Sequence, residues 1–516
     1  MLKNSSGTGA EKQEWSSKWT FIFAAVSSAV GLGNIWRFPF TAHQNGGGAF
    51  IIPYFIAILV MGIPLMILEF AYGSRLKGTT PLAMARAHKK WEILGWIPTL
   101  AAGMIIFYYG VILVWAMRFA IFAADKSWGT ETGYFFQNTF LRNSGNALHL
   151  NRINMGMFIG LVVLWGVSYL VLSKGIKKGL ERVNRIVLPL MFLSALALIV
   201  RGVTLDNAYL GLNALFTPDF SAMLNPNVWL AAFGQAMFSL SLCMGIMVTY
   251  SSYMKKGTEM VNTTYMVAIV DVGFAFLFSV GIFAIIGYLV GAGGADGIEA
   301  VGGGAGLVFV TLPIAFNYMG GMGYAMGVAF FIMLAVSGWT SFLSLLEAFV
   351  APFTEKFGWS RVKAYRIVMG VGFVISLLYA TDAASPILGL VDWTVNNFWL
   401  PLVGILQAIL AAWVIKKVPV FQKYVNVTTL PFFRAGTLWT ASVKFIIPIM
   451  GGLVFTLAMI AFFTGNAPAA VAGSTTPEVA VFVGGTLLLV GVISFVLSKL
   501  KWVVSVDDYE KPEGDD

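Results

Sequence analysis

The chain has 516 residues, of which 58% are hydrophobic and only 11% are charged. Soluble globular proteins carry roughly 25% charged residues, so the composition excludes a soluble fold and predicts an all-α membrane protein. A net charge of +9 does not indicate nucleic-acid binding, because the basic residues lie in short tracts between apolar segments. The sequence contains no nucleophile set, metal-ligand cluster or P-loop pattern, and this argues against an enzyme.

Segments that are apolar over the roughly 20 residues needed to cross a bilayer occur twelve times along the chain. Each is predicted to be a helix, because a segment in lipid must satisfy its backbone hydrogen bonds internally. The twelve predicted transmembrane helices are 18–41, 49–72, 93–124, 154–172, 180–202, 226–253, 261–291, 324–353, 364–380, 386–414, 436–463 and 476–500. A shorter apolar stretch, 307–316, is expected to form an outer cap or a re-entrant segment.

The distribution of Lys and Arg predicts the orientation in the membrane. Basic residues concentrate in the loops after the second, fourth, sixth, eighth and tenth spans and are scarce in the opposite loops. Since cytoplasmic loops carry the excess of Lys and Arg, both termini are predicted to be cytoplasmic. The expected location is the cell membrane, which is the inner membrane in a bacterium, with the lipid bilayer as the surrounding partner.

Two spans contain small and hydroxylated residues at mid-membrane depth. Residues 27–34 read SSAVGLGN, and residues 238–245 read FSLSLCMG. Such residues can simply allow helices to cross closely, but two such segments five spans apart are typical of transporters with broken helices. Unwound backbone at these points would offer carbonyl groups to a cation and amide groups to a carboxylate.

The sequence also carries longer motifs near these breaks. Residues 29–39 read AVGLGNIWRFP, residues 45–54 read NGGGAFIIPY, and residues 249–253 read TYSSY. With these motifs the chain resembles the neurotransmitter:sodium symporter family, which includes a bacterial leucine transporter. The resemblance covers residue 15 to about residue 415. It implies a sodium-coupled secondary active symporter that imports a small amino acid by alternating access.

The resemblance implies a fold of twelve helices. Ten of them form a 5+5 inverted repeat in which helices 1 and 6 are broken, and two additional helices follow at the C-terminal end. The expected parts are a cytoplasmic N-terminal segment (1–14), a transporter core (15–415) with repeats at about 15–205 and 226–415, two additional transmembrane helices (416–505) and an acidic cytoplasmic tail (506–516). A monomer or a weak homodimer is expected.

The resemblance also implies two sodium sites. The first would use Ala29, Asn34, Ser239 and Asp271. The second would use Ser27, Val30, Ser337, Thr340 and Ser341. Asp271 departs from the family, which usually has Asn there, and a carboxylate within a span is a functional candidate in its own right.

A central substrate site with mostly apolar walls is implied as well. Its predicted residues are Ser28, Ala29, Leu32, Gly33, Ile105, Tyr109, Phe238, Ser239, Ser241, Met244, Ser341 and Leu345. Gly31 stands where monoamine carriers of the family have Asp, and this favours a substrate with its own acid group. Apolar α-amino acids are the first expectation, and ω-amino or sulfonate acids of the GABA, betaine or taurine type are the second. A sensor that binds an amino acid without transporting it is the remaining alternative.

Gates are expected on both sides of this site. Arg37 and Asp392 would form the outer gate. The residues that match the inner closing network of the family are Trp15, Tyr253, Ser252 and Glu347. Lys12 and Glu355 stand where the family has a second inner pair, of Arg and Asp.

Chloride is not expected to be required. Tyr54, Gln235 and Ser239 match three of the family's chloride-binding positions, but the fourth is Ala275. Asp271 lies one helical turn earlier on the same face. Its carboxylate is predicted to supply the negative charge that chloride supplies elsewhere.

Overall fold

The computed structural model describes residues 13–255, 257–294, 304–427, 433–464 and 474–507, and nearly all regular structure in them is helical. The main helices, several of which contain a π or 3₁₀ turn, are α1 (Lys18–Ala29), α2 (Gly33–Gln44), α3 (Gly48–Leu76), α4 (Thr80–Ala87), α5 (Lys89–Ala123), α6 (Met155–Leu172), α7 (Ile176–Val203), α8 (Ala208–Phe216), α9 (Pro226–Ser239), α10 (Ile246–Ser252), α11 (Met260–Gly291), α12 (Leu307–Tyr318), α13 (Gly321–Phe357), α14 (Arg361–Ala380), α15 (Ala384–Val414), α16 (Val418–Asn426), α17 (Thr437–Phe463) and α18 (Thr476–Lys499).

Ten of the helices in the described ranges are long and apolar enough to cross a membrane. An eleventh span is formed by α1 and α2 together, which are bent by 48° where they meet. The remaining predicted span, 226–253, consists of α9 and α10, neither of which reaches the length of a span alone. The multi-pass helical fold is therefore confirmed, while the count of twelve and the inverted repeat stay predictions.

The first span breaks at Val30, whose backbone is extended rather than helical. The side-chain oxygen of Asn34 accepts a hydrogen bond from the Gly31 amide at 3.1 Å and so satisfies a donor that the broken helix leaves free. A π turn, Gly33–Arg37, then restarts the helix. The break lies within the SSAVGLGN segment, as the sequence predicts.

The second break separates α9 from α10. Three residues in it have positive φ angles: Ser241 at 53°, Cys243 at 63° and Gly245 at 73°. Such angles are unfavourable for a side chain larger than glycine. The Glu69 carboxylate of α3 accepts the Cys243 amide at 2.9 Å, which holds the unwound backbone in place and compensates part of the conformational cost.

The helices that carry the breaks are enclosed by others. In the most apolar stretch of α5, 78% of the residues are buried by the rest of the protein, against 11% in α17. Apolar surface that neighbouring helices leave uncovered would face lipid. The centre of the protein therefore lies at α1, α5, α9, α10 and α13, and the C-terminal helices α17 and α18 lie at its edge.

Candidate functional site

The two helix breaks enclose a small central cavity. Eleven of the twelve predicted substrate residues line it, together with Gly31 and Ile246. The predicted residues on its wall are Ser28, Ala29, Leu32, Gly33, Ile105, Tyr109, Phe238, Ser241, Met244, Ser341 and Leu345. Aliphatic and aromatic side chains form most of the surface, and three serine hydroxyls, one tyrosine hydroxyl and unwound backbone supply its polar groups.

Ser239 is the predicted residue that does not line this cavity. Its hydroxyl instead donates to Asp271 Oδ2 at 2.6 Å. Asn34 Nδ2 donates to Asp271 Oδ1 at 2.8 Å and to the Asp271 carbonyl at 3.1 Å. We call Asn34, Ser239 and Asp271 the first oxygen cluster. It brings together three of the four residues predicted for the first sodium site, and the fourth, Ala29, lines the adjacent cavity.

A second oxygen cluster lies where α13 meets the first break, and it comprises all five residues predicted for the second sodium site. Thr340 Oγ1 lies 3.0 Å from the Ser27 carbonyl and 2.8 Å from the Ser337 carbonyl. Ser341 Oγ lies 3.4 Å from the Ser27 carbonyl, and Ser337 Oγ lies 3.5 Å from the Val30 carbonyl.

The second cluster offers only oxygen atoms. In the first cluster the Ser239 hydroxyl and the Asp271 carboxylate offer oxygen, while Asn34 presents its Nδ2 to Asp271. Oxygen atoms are the ligands that hard cations prefer. The Ser27 hydroxyl adds a buried oxygen with no hydrogen-bond partner in the described structure. The first cluster carries one carboxylate and the second carries no formal charge. These donor sets fit a weakly held monovalent cation such as sodium, a transported ion rather than a resident cofactor.

The residues that match a chloride site lie next to the first cluster. Tyr54 is fully buried, and its hydroxyl has no hydrogen-bond partner in the described ranges. Gln235 Nε2 lies 3.5 Å from the Gly33 carbonyl, while its Oε1 is buried and unpartnered there. Ala275 is fully buried and contributes no polar side chain. Ser239 belongs to both groups, and it links the chloride-matching residues to the carboxylate of Asp271 in the first cluster.

On the outer side of the cavity, Arg37 and Asp392 do not form a direct ion pair. Asn396 lies between them: its side-chain oxygen is 3.5 Å from Arg37 Nη1, and its Nδ2 donates to Asp392 Oδ1 at 2.8 Å. The Tyr108 hydroxyl also donates to Asp392 Oδ1, at 2.6 Å. The Arg37 guanidinium lies 4.3 Å above the ring of Phe238, which lines the cavity. These five residues form the outer network.

On the opposite side the N-terminal segment is anchored before α1 begins. The Trp15 amide donates to the Tyr253 carbonyl at 3.1 Å, and its indole donates to the Tyr250 carbonyl at 2.7 Å. The Ser16 amide donates to Glu181 Oε1 at 2.7 Å. Trp15 is almost completely buried, so these contacts fix the N-terminal segment against α10 and α7, and a role in closing the cavity stays a prediction.

A buried carboxylate, that of Glu347, lies next to these contacts. Glu347 Oε1 accepts from the Tyr253 hydroxyl at 2.9 Å and from Arg361 Nη1 at 3.0 Å. Glu347 Oε2 accepts from Arg361 Nη2 at 2.5 Å and from the Tyr365 hydroxyl. We call Trp15, Tyr253, Glu347, Arg361 and Tyr365 the inner network. The sequence interpretation missed Arg361 and Tyr365, because helical spacing does not reveal a partner across two helices.

Glu355 lies elsewhere on this face. Its carboxylate accepts from the Thr79 amide at 3.1 and 3.2 Å and from the Thr79 hydroxyl at 2.5 Å, so it caps the N-terminus of α4. Lys12, the other member of the predicted second inner pair, lies outside the described residues. Capping of α4 is therefore the role that the geometry gives to Glu355, and a gate role stays a prediction.

Comparisons with known proteins identify the family of the chain. The model of the sodium:neurotransmitter symporter family matches residues 12–130 and 123–505. An uncharacterized sodium-dependent transporter of Methanocaldococcus jannaschii is 34% identical over 493 residues, covering 96% of this chain and 99% of the relative. The sodium- and chloride-dependent GABA transporter 2 of Rattus norvegicus is 27% identical, covering 78% of this chain and 73% of the relative.

Among solved structures, the crystal structure of MhsT in complex with L-phenylalanine superposes with a TM-score of 0.75 at 32% identity. The match covers 86% of this chain and 99% of MhsT. The family match and the long relatives are to transporters rather than enzymes. The chain therefore belongs to the sodium:neurotransmitter symporter family and is a sodium-dependent membrane transporter.

Proposed function

We propose that the protein imports a small amino acid together with sodium, by exposing one central site alternately to the two sides of the membrane. The observation that carries this proposal is the cavity between two helix breaks, with one oxygen cluster formed by Asn34, Ser239 and Asp271 and a second where the first break meets α13. Sodium next to a bound substrate couples the two binding free energies reciprocally. In this proposal the inner and outer networks open in turn.

The shape of the cavity around Gly31 supports a substrate that carries its own carboxylate. A Cβ atom added at Gly31 would lie 2.6 Å from Ser341 Oγ and 3.3 Å from the Tyr109 hydroxyl. No protein carboxylate therefore fits at this position without displacing Ser341. The substrate carboxylate would be held by the amides after the first break and by the Tyr109 hydroxyl, and its ammonium group by carbonyls near Ser241.

The apolar wall favours an α-amino acid with a hydrophobic side chain. Leu32, Ile105, Phe238, Met244 and Leu345 leave few polar partners for a charged side chain, and a buried unpaired charge is costly. MhsT, which was crystallised with L-phenylalanine, is a relative by fold and sequence. An ω-amino acid is the second candidate, supported by the similarity to GABA transporter 2.

Uptake into liposomes tests this proposal directly. Purified protein should accumulate one class of amino acid from a panel of the twenty amino acids, GABA and taurine, only with an inward sodium gradient. Potassium in place of sodium serves as the control. Saturable binding without accumulation would mean that the protein is a sensor, and it would overturn the proposal of transport.

The second oxygen cluster is proposed to hold a sodium ion. Thr340→Ala and Ser341→Ala each remove one hydroxyl and leave the backbone carbonyls in place. Both variants should shift the sodium dependence of substrate binding to higher concentration. A double variant with the sodium dependence of the wild type would show that the ion binds elsewhere.

We also propose that transport does not require chloride. Two sodium ions beside a zwitterion leave excess positive charge in a region of low dielectric constant, so a negative charge is needed nearby. Asp271 supplies it through contacts with Asn34 and Ser239. Uptake should persist with gluconate in place of chloride, whereas Asp271→Asn should lose activity or become chloride-dependent. Loss of wild-type uptake in gluconate would contradict this assignment.

A further inference from the structure

A second, larger cavity lies on the outside of the helix bundle. It is a groove of about 880 Å³ between α6 and α14. Gly166 and Gly370 lie along it, and a Cβ atom added at either position would meet no other atom within 4 Å. The two glycines thus leave open space that ordinary side chains would fill. The helices are antiparallel, since the start of α14 contacts the end of α6 through Arg361 and the Leu172 carbonyl, while Phe373 packs on Phe158 near the start of α6.

One charged group on the groove lacks a partner. Arg366 is exposed, and it makes no hydrogen bond or ion pair with any residue in the described ranges. A charge at membrane depth is costly unless it is paired. Trp165 also lines the groove, but its indole N–H has no exposed surface and is not open to a ligand there. A ligand with an anionic group would pair with Arg366.

The position of Arg366 along α14 gives the order of the ligand's parts. Arg366 lies at the end of the groove that the basic-residue pattern predicts to be cytoplasmic. From Arg366 to Phe373 the groove runs ~10 Å at the rise of an α-helix, between apolar side chains. A negative group at the interface and an apolar chain beyond it are the parts of an anionic phospholipid.

We infer that this groove binds one anionic glycerophospholipid, with its phosphate on Arg366 and an acyl chain over Gly166 and Gly370, and that the bound lipid stabilises the closed inner network. A second copy of the chain fits the groove less well. A symmetric dimer about an axis along the membrane normal would bring the two Arg366 side chains to the same depth, with like charges facing.

The link to the inner network runs through Tyr365. This residue lines the groove and is fully buried, and its hydroxyl donates to Glu347 Oε2. A lipid packed against α14 would restrain the helix that carries both Tyr365 and Arg361. Because these two residues hold Glu347, bound lipid would favour the closed inner face.

Native mass spectrometry of the full-length protein tests the site. Wild-type protein should retain one phosphatidylglycerol in preference to phosphatidylcholine with the same chains. Arg366→Gln should weaken this retention about tenfold, since hydrogen bonds to charged groups are among the stronger ones. Gly370→Leu and Gly166→Leu should reduce retention of both lipids by filling the groove. Lys363→Gln removes an equal charge from an exposed position on the same helix and should change nothing.

Equal retention in Arg366→Gln and Lys363→Gln would overturn the headgroup assignment, and full retention in both leucine variants would overturn the groove. Displacement of the lipid by inorganic phosphate alone would show an anion site rather than a lipid site. A wild-type dimer that Gly370→Leu abolishes would identify a second copy as the occupant. Each variant should keep the thermal stability of the wild type, because the added side chains enter open space.

Hydrogen–deuterium exchange tests the effect on the inner face. Phosphatidylglycerol should slow exchange in residues 13–27 of the wild type, where the Trp15 and Ser16 amides are hydrogen-bonded. Arg366→Gln should remove this difference, and Lys363→Gln should keep it. Exchange that is the same with and without the lipid in the wild type would overturn the proposed stabilisation.

Discussion

Arg361 and Glu347 on the inner face form two direct contacts at 3.0 and 2.5 Å, whereas Arg37 and Asp392 on the outer face are separated by Asn396. The inner carboxylate is fully buried and accepts four hydrogen bonds. A buried pair is expensive to disrupt, because removing one partner leaves an uncompensated charge. Opening the inner face should therefore cost more free energy than opening the outer face.

The largest expected effect tests the inner network. Arg361→Ala should destabilise the closed inner face by roughly 3–5 kcal/mol, because Glu347 stays buried without its counter-charge. Hydrogen–deuterium exchange in residues 13–27 should rise strongly, and the thermal unfolding temperature should fall. Adding Glu347→Gln should restore part of the protection by removing the unpaired charge. Unchanged exchange in Arg361→Ala would show that the network does not hold the N-terminal segment.

A substitution in the outer network should have a smaller energetic effect than Arg361→Ala has in the inner network. Asp392→Ala removes the acceptor of Tyr108 and Asn396 and the negative charge nearest to Arg37, contacts of the kind that contribute roughly 1.5–3 kcal/mol. Transport should slow about tenfold, while substrate affinity at equilibrium should change less. Parallel measurements of uptake rate and binding separate the two quantities. Full transport in Arg37→Ala would show that this pair is not a gate.

A smaller effect is expected for the bridging amide. Asn396→Ala should weaken outer closure by about 1–2 kcal/mol, because it removes two neutral hydrogen-bonding groups and leaves both charges in place. The uptake rate should fall less than in Asp392→Ala. Asn397→Ala on the next position of α15 is a matched control, since the Asn397 side chain donates to the Trp393 carbonyl of its own helix rather than to Asp392. Equal rates in the two alanine variants would contradict a bridging role.

The smallest effect is expected at Lys18 and Glu259, a partly exposed ion pair on the inner face. The hydrogen bond from Lys18 lowers the pKa of Glu259, and Asn262 adds to this shift. A lowered pKa in the folded state means that the pair stabilises above the pKa of the unfolded chain and loses this contribution as the pH falls through the folded value. Its contribution should stay below about 1 kcal/mol.

Thermal unfolding of Glu259→Gln and wild type at neutral and acidic pH measures this contribution. The two proteins should differ slightly at neutral pH and at low salt, and they should converge in acid and in high salt. A difference that grows as the pH falls would contradict the sign of the pKa shift.

Local composition was sufficient for the multi-pass helical fold and for both helix breaks. Apolar length predicts a transmembrane helix without knowledge of its neighbours, and the small residues at 27–34 and 238–245 lie where the helices do break. The motifs likewise predicted eleven residues of the cavity wall. The family-level resemblance is confirmed by the family match.

Only the tertiary structure decided which polar groups meet. Asn396 lies 359 positions from Arg37 along the chain, and Ser239 turns to Asp271 rather than to the cavity. Glu355 accepts a hydrogen bond from Thr79, which lies 276 positions away along the chain. The physical reason is that burial in lipid depends on the sum of side chains in one segment, whereas a hydrogen bond depends on a few tenths of an ångström between helices that are distant in sequence.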